Sequence, residues 1–178
     1  LYHELEKICA FVGEGTVSRQ QLEQVLTKNL EAAVFQLAKD LMAGAYEKAY
    51  NTLDRLLAQD EDPIFILAAL STVYVDLYRV RVLMQSGRPV AEAAKYFDYK
   101  GKEFRLRSAE RDRNRFSDRV LRDSLDAIMQ TDLALKSTRA NSRFLLEELI
   151  ARLLLLAEKE GKDHDPDSGS DFGRRQIR

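Results

Sequence analysis

Apolar residues recur every three or four positions along most of this chain, and the alternation of a half-buried strand is absent. Tyr2, Leu5, Ile8, Cys9 and Val12 form one stripe, ended by Gly13-Glu14-Gly15. Ser18 and Gln21 make a capping box ahead of Leu22, Val25 and Leu26. Val34, Phe35, Leu37, Ala38, Leu41 and Met42 then predict the first helix of a hairpin, closed by Gly44. Tyr46, Ala49, Tyr50, Leu53, Leu56 and Leu57 predict the second. A short helix is expected from Val90 to Phe97. A long one follows the N-cap Ser117, with Leu121, Leu125, Ile128 and Leu135 on one stripe. The last is capped by Asn141 or Ser142 and runs from Phe144 through Ala157 to Gly161. The hairpin over 34–57 has no second copy, which argues against a repeat array.

The stretch from Pro63 to Leu83 is apolar on nearly every side. Pro63 suits a first helical position, with Asp60, Glu61 and Asp62 at the positive end of the helix dipole. Gly87 and Pro89 stop it. A helix of this kind must be surrounded by others, so it is placed at the centre of a helical domain. Asp76, Arg79 and Arg81 cut the apolar run short of the ~18 residues a membrane span needs.

The chain has 178 residues, enough for one domain that buries ~70% of its unfolded surface without disulfide or metal. Charged residues balance to a net charge of -1, which argues against a general polyanion binder. The charge is not evenly spread: from Lys100 to Arg122 nine cations stand against four carboxylates. Cys9 is the only cysteine, which excludes a disulfide framework and favours a reducing compartment. The chain starts at Leu1, within a helical pattern, and reads as a fragment. The polar stretch after Gly161 is expected to be disordered.

Candidate chemistry is sparse. The two histidines, His3 and His164, stand near opposite ends, which leaves no His-based metal site or triad. No glycine-rich phosphate loop is present. Cys9 reads as a packed structural thiol. No catalytic, cofactor or metal residue is assigned. Asp132 and Lys136 are spaced as a surface ion pair. Asp132 also suits a carboxylate aimed at the start of the final helix, and both readings stand. The arginines of 100–122, Arg111 and Arg115 among them, read as a solvated helix face paired with Glu110, Asp112 and Asp118. Charge reversal at Arg111 and Arg115 is expected to change stability by under ~1 kcal/mol. The alternative is nucleic-acid contact, with Tyr96 and Tyr99 for stacking, or through Lys136, Arg139 and Arg143 at the last inter-helix turn.

The order of short motifs says more than any one of them. Phe35-x-Leu37 comes first. Gly44 with Ala49, Leu53, Leu56 and Leu57 follows, and then Pro63 before the apolar helix. Phe116-Ser117, Asp132-x-x-Leu135-Lys136 and Leu145-Leu146-Glu147 with Ile150 and Leu153 complete the series. This series resembles the C-terminal part of the delta subunit of the bacterial DNA polymerase III clamp loader. Residues 1–28 resemble the last helices of the AAA+ lid domain. The family's frequent Pro-Phe at the start of the basic helix is Glu103-Phe104 here, and Arg113 replaces a small residue.

The resemblance implies an all-α fold of six to seven helices. It divides the chain into a lid hairpin (1–28), a helical collar domain (29–160) and a tail (161–178). It implies a cytoplasmic, non-hydrolysing member of the replication machinery. The collar would hold it to delta-prime and gamma/tau, near primer–template DNA and away from any membrane. The sliding clamp would be met by the AAA+ domain, which would lie before Leu1. The final helix carries two apolar stripes, Leu145, Leu149, Leu153, Leu156 and Leu146, Ile150, Ala157, widened by Leu154 and Leu155. Such a surplus suggests a covered face. Leu149, Leu153, Leu154 and Leu155 are the expected interface with neighbouring subunits.

Overall fold

The computed structural model describes Ala10 and residues 19–163, with side chains described at Ala10 and over 30–159. The stripe over 2–12, the Ser18–Gln21 box, Cys9, His3 and His164 lie outside what it describes. Among the described residues every regular element is helical. The elements are α1 (Arg19–Met42), α2 (Tyr46–Ala58), α3 (Pro63–Gln85) and a 3-10 turn (Val90–Glu92) leading into α4 (Ala93–Tyr96). α5 (Glu103–Asp112), α6 (Asp118–Ser137) and α7 (Ser142–Asp163) complete the order. The all-α expectation holds.

α1 is one unbroken helix of 24 residues, so the boundary expected at 28–29 lies inside it. Its sequence contains neither glycine nor proline, and nothing local interrupts propagation. α7 also outruns its expected end, passing through Gly161 to Asp163. A glycine weakens a helix by only about 1 kcal/mol relative to alanine. The other stops fall as the residues dictate. Gly44 and Gly87 take φ of 65° and 66°, the left-handed geometry that ends α1 and α3 with little strain. Asp62 Oδ1 accepts from the amide of Ile64 at 2.8 Å, capping α3 ahead of Pro63.

α3 is the central element. α1, α5, α6 and α7 all pack against it, and α6 and α7 pack on each other. Its inward face is Ile66, Leu67, Leu70, Tyr74, Leu77 and Val80, all essentially without solvent contact. The helix is not surrounded on every side as its composition suggests. Phe65 is 62% exposed, and Ile64, Val82 and Met84 also face solvent. By length and hydropathy α3 could cross a membrane. In the fold it serves as the core helix, with Asp76 buried at its middle in a polar network.

Three devices pin the later helices onto α3. Tyr74 and Phe116 stack with ring centroids 6.4 Å apart. Arg81 reaches from α3 into the α5–α6 turn. Its Nη1 donates to the carbonyls of Arg113 (3.0 Å) and Phe116 (2.9 Å), and its Nε to Asp118 Oδ1 (2.7 Å). Ser117 Oγ accepts from the amide of Val120 at 3.3 Å, capping α6 as expected.

Candidate functional site

The four leucines expected at an interface separate on α7. Leu149, Leu153 and Leu154 have at most 1% of their surface exposed and belong to the core, while Leu155 is 53% exposed. A side chain without accessible surface has none to offer a partner, so only Leu155 of the four can meet one. The surplus apolar surface lies elsewhere on the same hairpin. Met129 and Leu133 on α6 are 54% and 58% exposed, and Phe144 at the start of α7 is 63% exposed. The spacing of Met129 and Leu133, one turn apart, puts them on one face of α6. No sequence signal separated these from core positions, because stripe counting on one helix does not say which neighbours cover it.

The last inter-helix turn is tied down by ion pairs. Lys136 Nζ lies 2.7 Å from Asp132 Oδ2, which selects the surface-pair reading of Asp132. Arg143 pairs with Glu147 at 2.7 Å and with Asp54 on α2. These acceptors hold its guanidinium above its ordinary pKa, Glu147 foremost. Asn141 Oδ1 accepts from the amide of Arg143 at 2.9 Å and caps α7. Arg139 is exposed and makes no ion pair or hydrogen bond among the described residues.

The arginines of the basic stretch divide by partner. Arg111 and Arg115 both approach Asp112, at 3.4 and 3.0 Å, and Asp112 is buried. Asp118 is taken by Arg81 and Gln85. The Gln85 amide, and then Arg81, hold its carboxyl below the usual range. Arg113 donates to the carbonyl of Glu110 rather than to its side chain. Arg105 points inward, with Nε 2.7 Å from Asp76 Oδ2. Tyr99 is not available for stacking. It is 2% exposed and its hydroxyl donates to Asp76 Oδ1 at 2.5 Å. Burial, and then the Asp76 carboxylate, raise its pKa. Tyr96, by contrast, is 61% exposed.

α1 and α5 both lie on α3 and leave between them a cleft of about 660 Å³. Phe35 and Phe104 meet edge-on across it at 6.4 Å. Its two buried carboxylates, Asp76 and Asp112, are both held in ion pairs. No group of three or more His, Cys, Asp or Glu side chains suited to a metal occurs among the described residues. The described surface carries exposed apolar side chains on the α6–α7 hairpin and a cation-rich stretch over 100–122.

Comparison with known proteins agrees with this architecture. The model of the DNA polymerase III delta subunit, C-terminal domain, matches residues 31–153. The chain is 23% identical over 160 residues to the DNA polymerase III subunit delta of Bacillus subtilis (strain 168). That alignment covers 89% of this chain and 46% of the relative. The fold superposes on the Bacillus subtilis DNA clamp loader delta protein with a TM-score of 0.67 and 22% identity. It covers 86% of this chain and 45% of that one. The chain thus spans less than half the length of the relatives it matches.

Proposed function

Because this chain belongs to the family formed by the C-terminal domain of the DNA polymerase III delta subunit, we propose that it acts in DNA replication as the helical collar of a cytoplasmic bacterial clamp loader. In this reading residues 29–160 hold delta to its neighbours, delta-prime and gamma/tau, and hydrolyse no nucleotide. The sliding clamp is met by the AAA+ module of the full-length protein.

The observation that supports a docking role is the exposed surface of the α6–α7 hairpin. Met129, Leu133, Phe144 and Leu155 each leave more than half their surface in solvent. Large apolar side chains kept out of the core mark surfaces that a partner covers. Leu133→Ser with Leu155→Ser tests this. Mixed with the other loader subunits and measured by complex mass, the double variant should fail to enter the assembly while melting as the parent does. Normal assembly would remove the α6–α7 surface from the interface.

A second reading rests on Arg139, exposed and without a partner among the described residues at the turn between α6 and α7. Primer–template DNA held beneath a collar would find a phosphate contact there. Arg139→Ala should then lower DNA affinity of the full loader and leave assembly mass unchanged.

A further inference from the structure

The cleft between α1 and α5 is floored by α3 and has apolar walls and cationic corners. Met42, Val73 and Phe104 line it. Lys39 Nζ lies 4.9 Å from the centroid of the Phe35 ring and takes one face of it. Phe104, which meets Phe35 edge-on, is the ring with surface to spare, at 46% exposure. Lys39 and Lys102 stand beside these rings, and neither forms an ion pair among the described residues. Asp76 is neutralised by Arg105, and Asp112 by Arg111 and Arg115. Glu31 is the remaining carboxylate, at the other end of the α1 wall from Met42. A concave apolar site with two uncommitted ammonium groups suits an aromatic side chain flanked by a carboxylate.

The chain itself carries such a segment. α7 ends at Asp163, and residues 164–178 follow, with Asp165, Asp167 and Asp171 ahead of Phe172 and with Arg174, Arg175 and Arg178 behind it. The fold delivers this segment to the right end of the cleft. Arg143 pairs with Asp54, and the Tyr46 hydroxyl donates to Glu158 Oε2 at 3.1 Å, so α7 runs antiparallel to α2. It therefore finishes beside the Gly44 turn, next to Met42 at the mouth of the cleft. From Asp163 an extended chain reaches Phe172 within ~30 Å, while Met42 and Phe35 are only ~10 Å apart along α1.

We propose that the segment Asp171-Phe172 docks into the α1–α5 cleft of its own chain, Phe172 against Phe104 and Asp171 between Lys39 and Lys102. The arginines beyond Phe172 then run toward Glu31. The matched family domain ends at residue 153, so this docking does not follow from the family assignment or from the collar reading. A tether of this length holds the segment at an effective concentration on the order of millimolar, so even a contact with a Kd of about 1 mM fills the cleft roughly half of the time.

NMR of the full 178-residue chain, isotope-labelled at its methionine methyls, tests it. Met42 lines the cleft, whereas Met84 and Met129 do not and serve as internal controls. A spin label is placed at Arg175→Cys in a Cys9→Ser background. The Met42 methyl signal should fall about twofold or more at half occupancy, with the Met129 signal unchanged. Phe172→Ala should weaken docking about tenfold or more and restore the Met42 signal, since a buried phenylalanine ring is worth at least that in equilibrium. Lys102→Glu, at an exposed position, should weaken it about twofold. The proposal fails if the tail label leaves Met42 unaffected, or if the loss of signal survives Phe172→Ala. It fails if Met42 responds to a label on the natural Cys9 and not to the tail label, since the N-terminal segment would then be the occupant. It also fails if the loss appears equally when labelled chains are mixed with separate isotope-labelled chains, since the cleft would then receive the tail of a second copy.

Discussion

The phenol of Tyr99 donates to Asp76 Oδ1 at 2.5 Å, joining residues 23 positions apart. Asp76 Oδ2 receives Arg105 Nε at 2.7 Å from α5, so one buried carboxylate organises three elements. Each of its oxygens has a strong donor, which is how a charge is kept inside a helical core. Asp76→Ala should destabilise the chain by about 2–3 kcal/mol, because Arg105, with 20% of its side chain exposed, retains some solvation. Tyr99→Phe should cost about 1–2 kcal/mol. Urea unfolding followed by circular dichroism reads both. Equal stability of Asp76→Ala and the parent would mean that the network is dispensable.

Alkaline pH tests the same burial. Tyr74 and Tyr99 both titrate above their ordinary value, Tyr74 through complete burial and Tyr99 through burial and the Asp76 carboxylate. The unfolded chain therefore loses these phenolic protons first. Their contribution is fully present below about pH 10 and is lost as pH rises through the folded values. Stability should fall above about pH 10, and Tyr74→Phe with Tyr99→Phe should flatten that fall even though the double variant is less stable at neutral pH. An unchanged slope would show that the phenols are accessible in the native state.

The fold was largely legible because its signals are local. Asp62, Ser117 and Asn141 mark helix starts through side-chain caps, and Pro63, Gly44 and Gly87 mark helix ends through backbone geometry. Asp76 shows what was not legible. In the sequence it is an interruption of an apolar run, and only the fold brings Tyr99 and Arg105 to it. Tyr96 and Tyr99 likewise look equivalent as residues, yet one is on the surface and the other is an anchor. Leu154 and Leu155 are neighbours on one helix, and a rotation of about 100° separates core from solvent. Stripe width could not assign them without knowing that α1, α2, α3 and α6 cover α7 on its other sides.

The basic stretch contains a built-in control. Asp112 has 8% of its side chain exposed and takes its opposite charge from Arg111 and Arg115, which are 63% and 52% exposed. Arg107 has no such buried partner in α5. Reversing Arg107 to Glu should leave stability within about 0.5 kcal/mol. Reversing Arg111 and Arg115 together faces a buried carboxylate with two more. It should cost about 1–2 kcal/mol, above the value for ordinary exposed pairs. Thermal melts at low and moderate salt compare the variants, and a double reversal as benign as Arg107→Glu would return all these arginines to a solvated face.

The final helix offers the sharpest contrast. Leu154 has no accessible surface and Leu155 is 53% exposed. Leu154→Ala removes core packing and should destabilise by about 2–5 kcal/mol, as buried leucines do. Leu155→Ser should shift stability by no more than about 0.5 kcal/mol, because its side chain is already half in water. Their effects on assembly should run the other way at a temperature where both are folded. If the chain acts as the collar proposed above, Leu155→Ser should weaken association with the other loader subunits, and Leu154→Ala should preserve it. A variant pair that loses stability and association in parallel would show that the α6–α7 surface acts only through folding, and that the loader is joined through another face of the bundle.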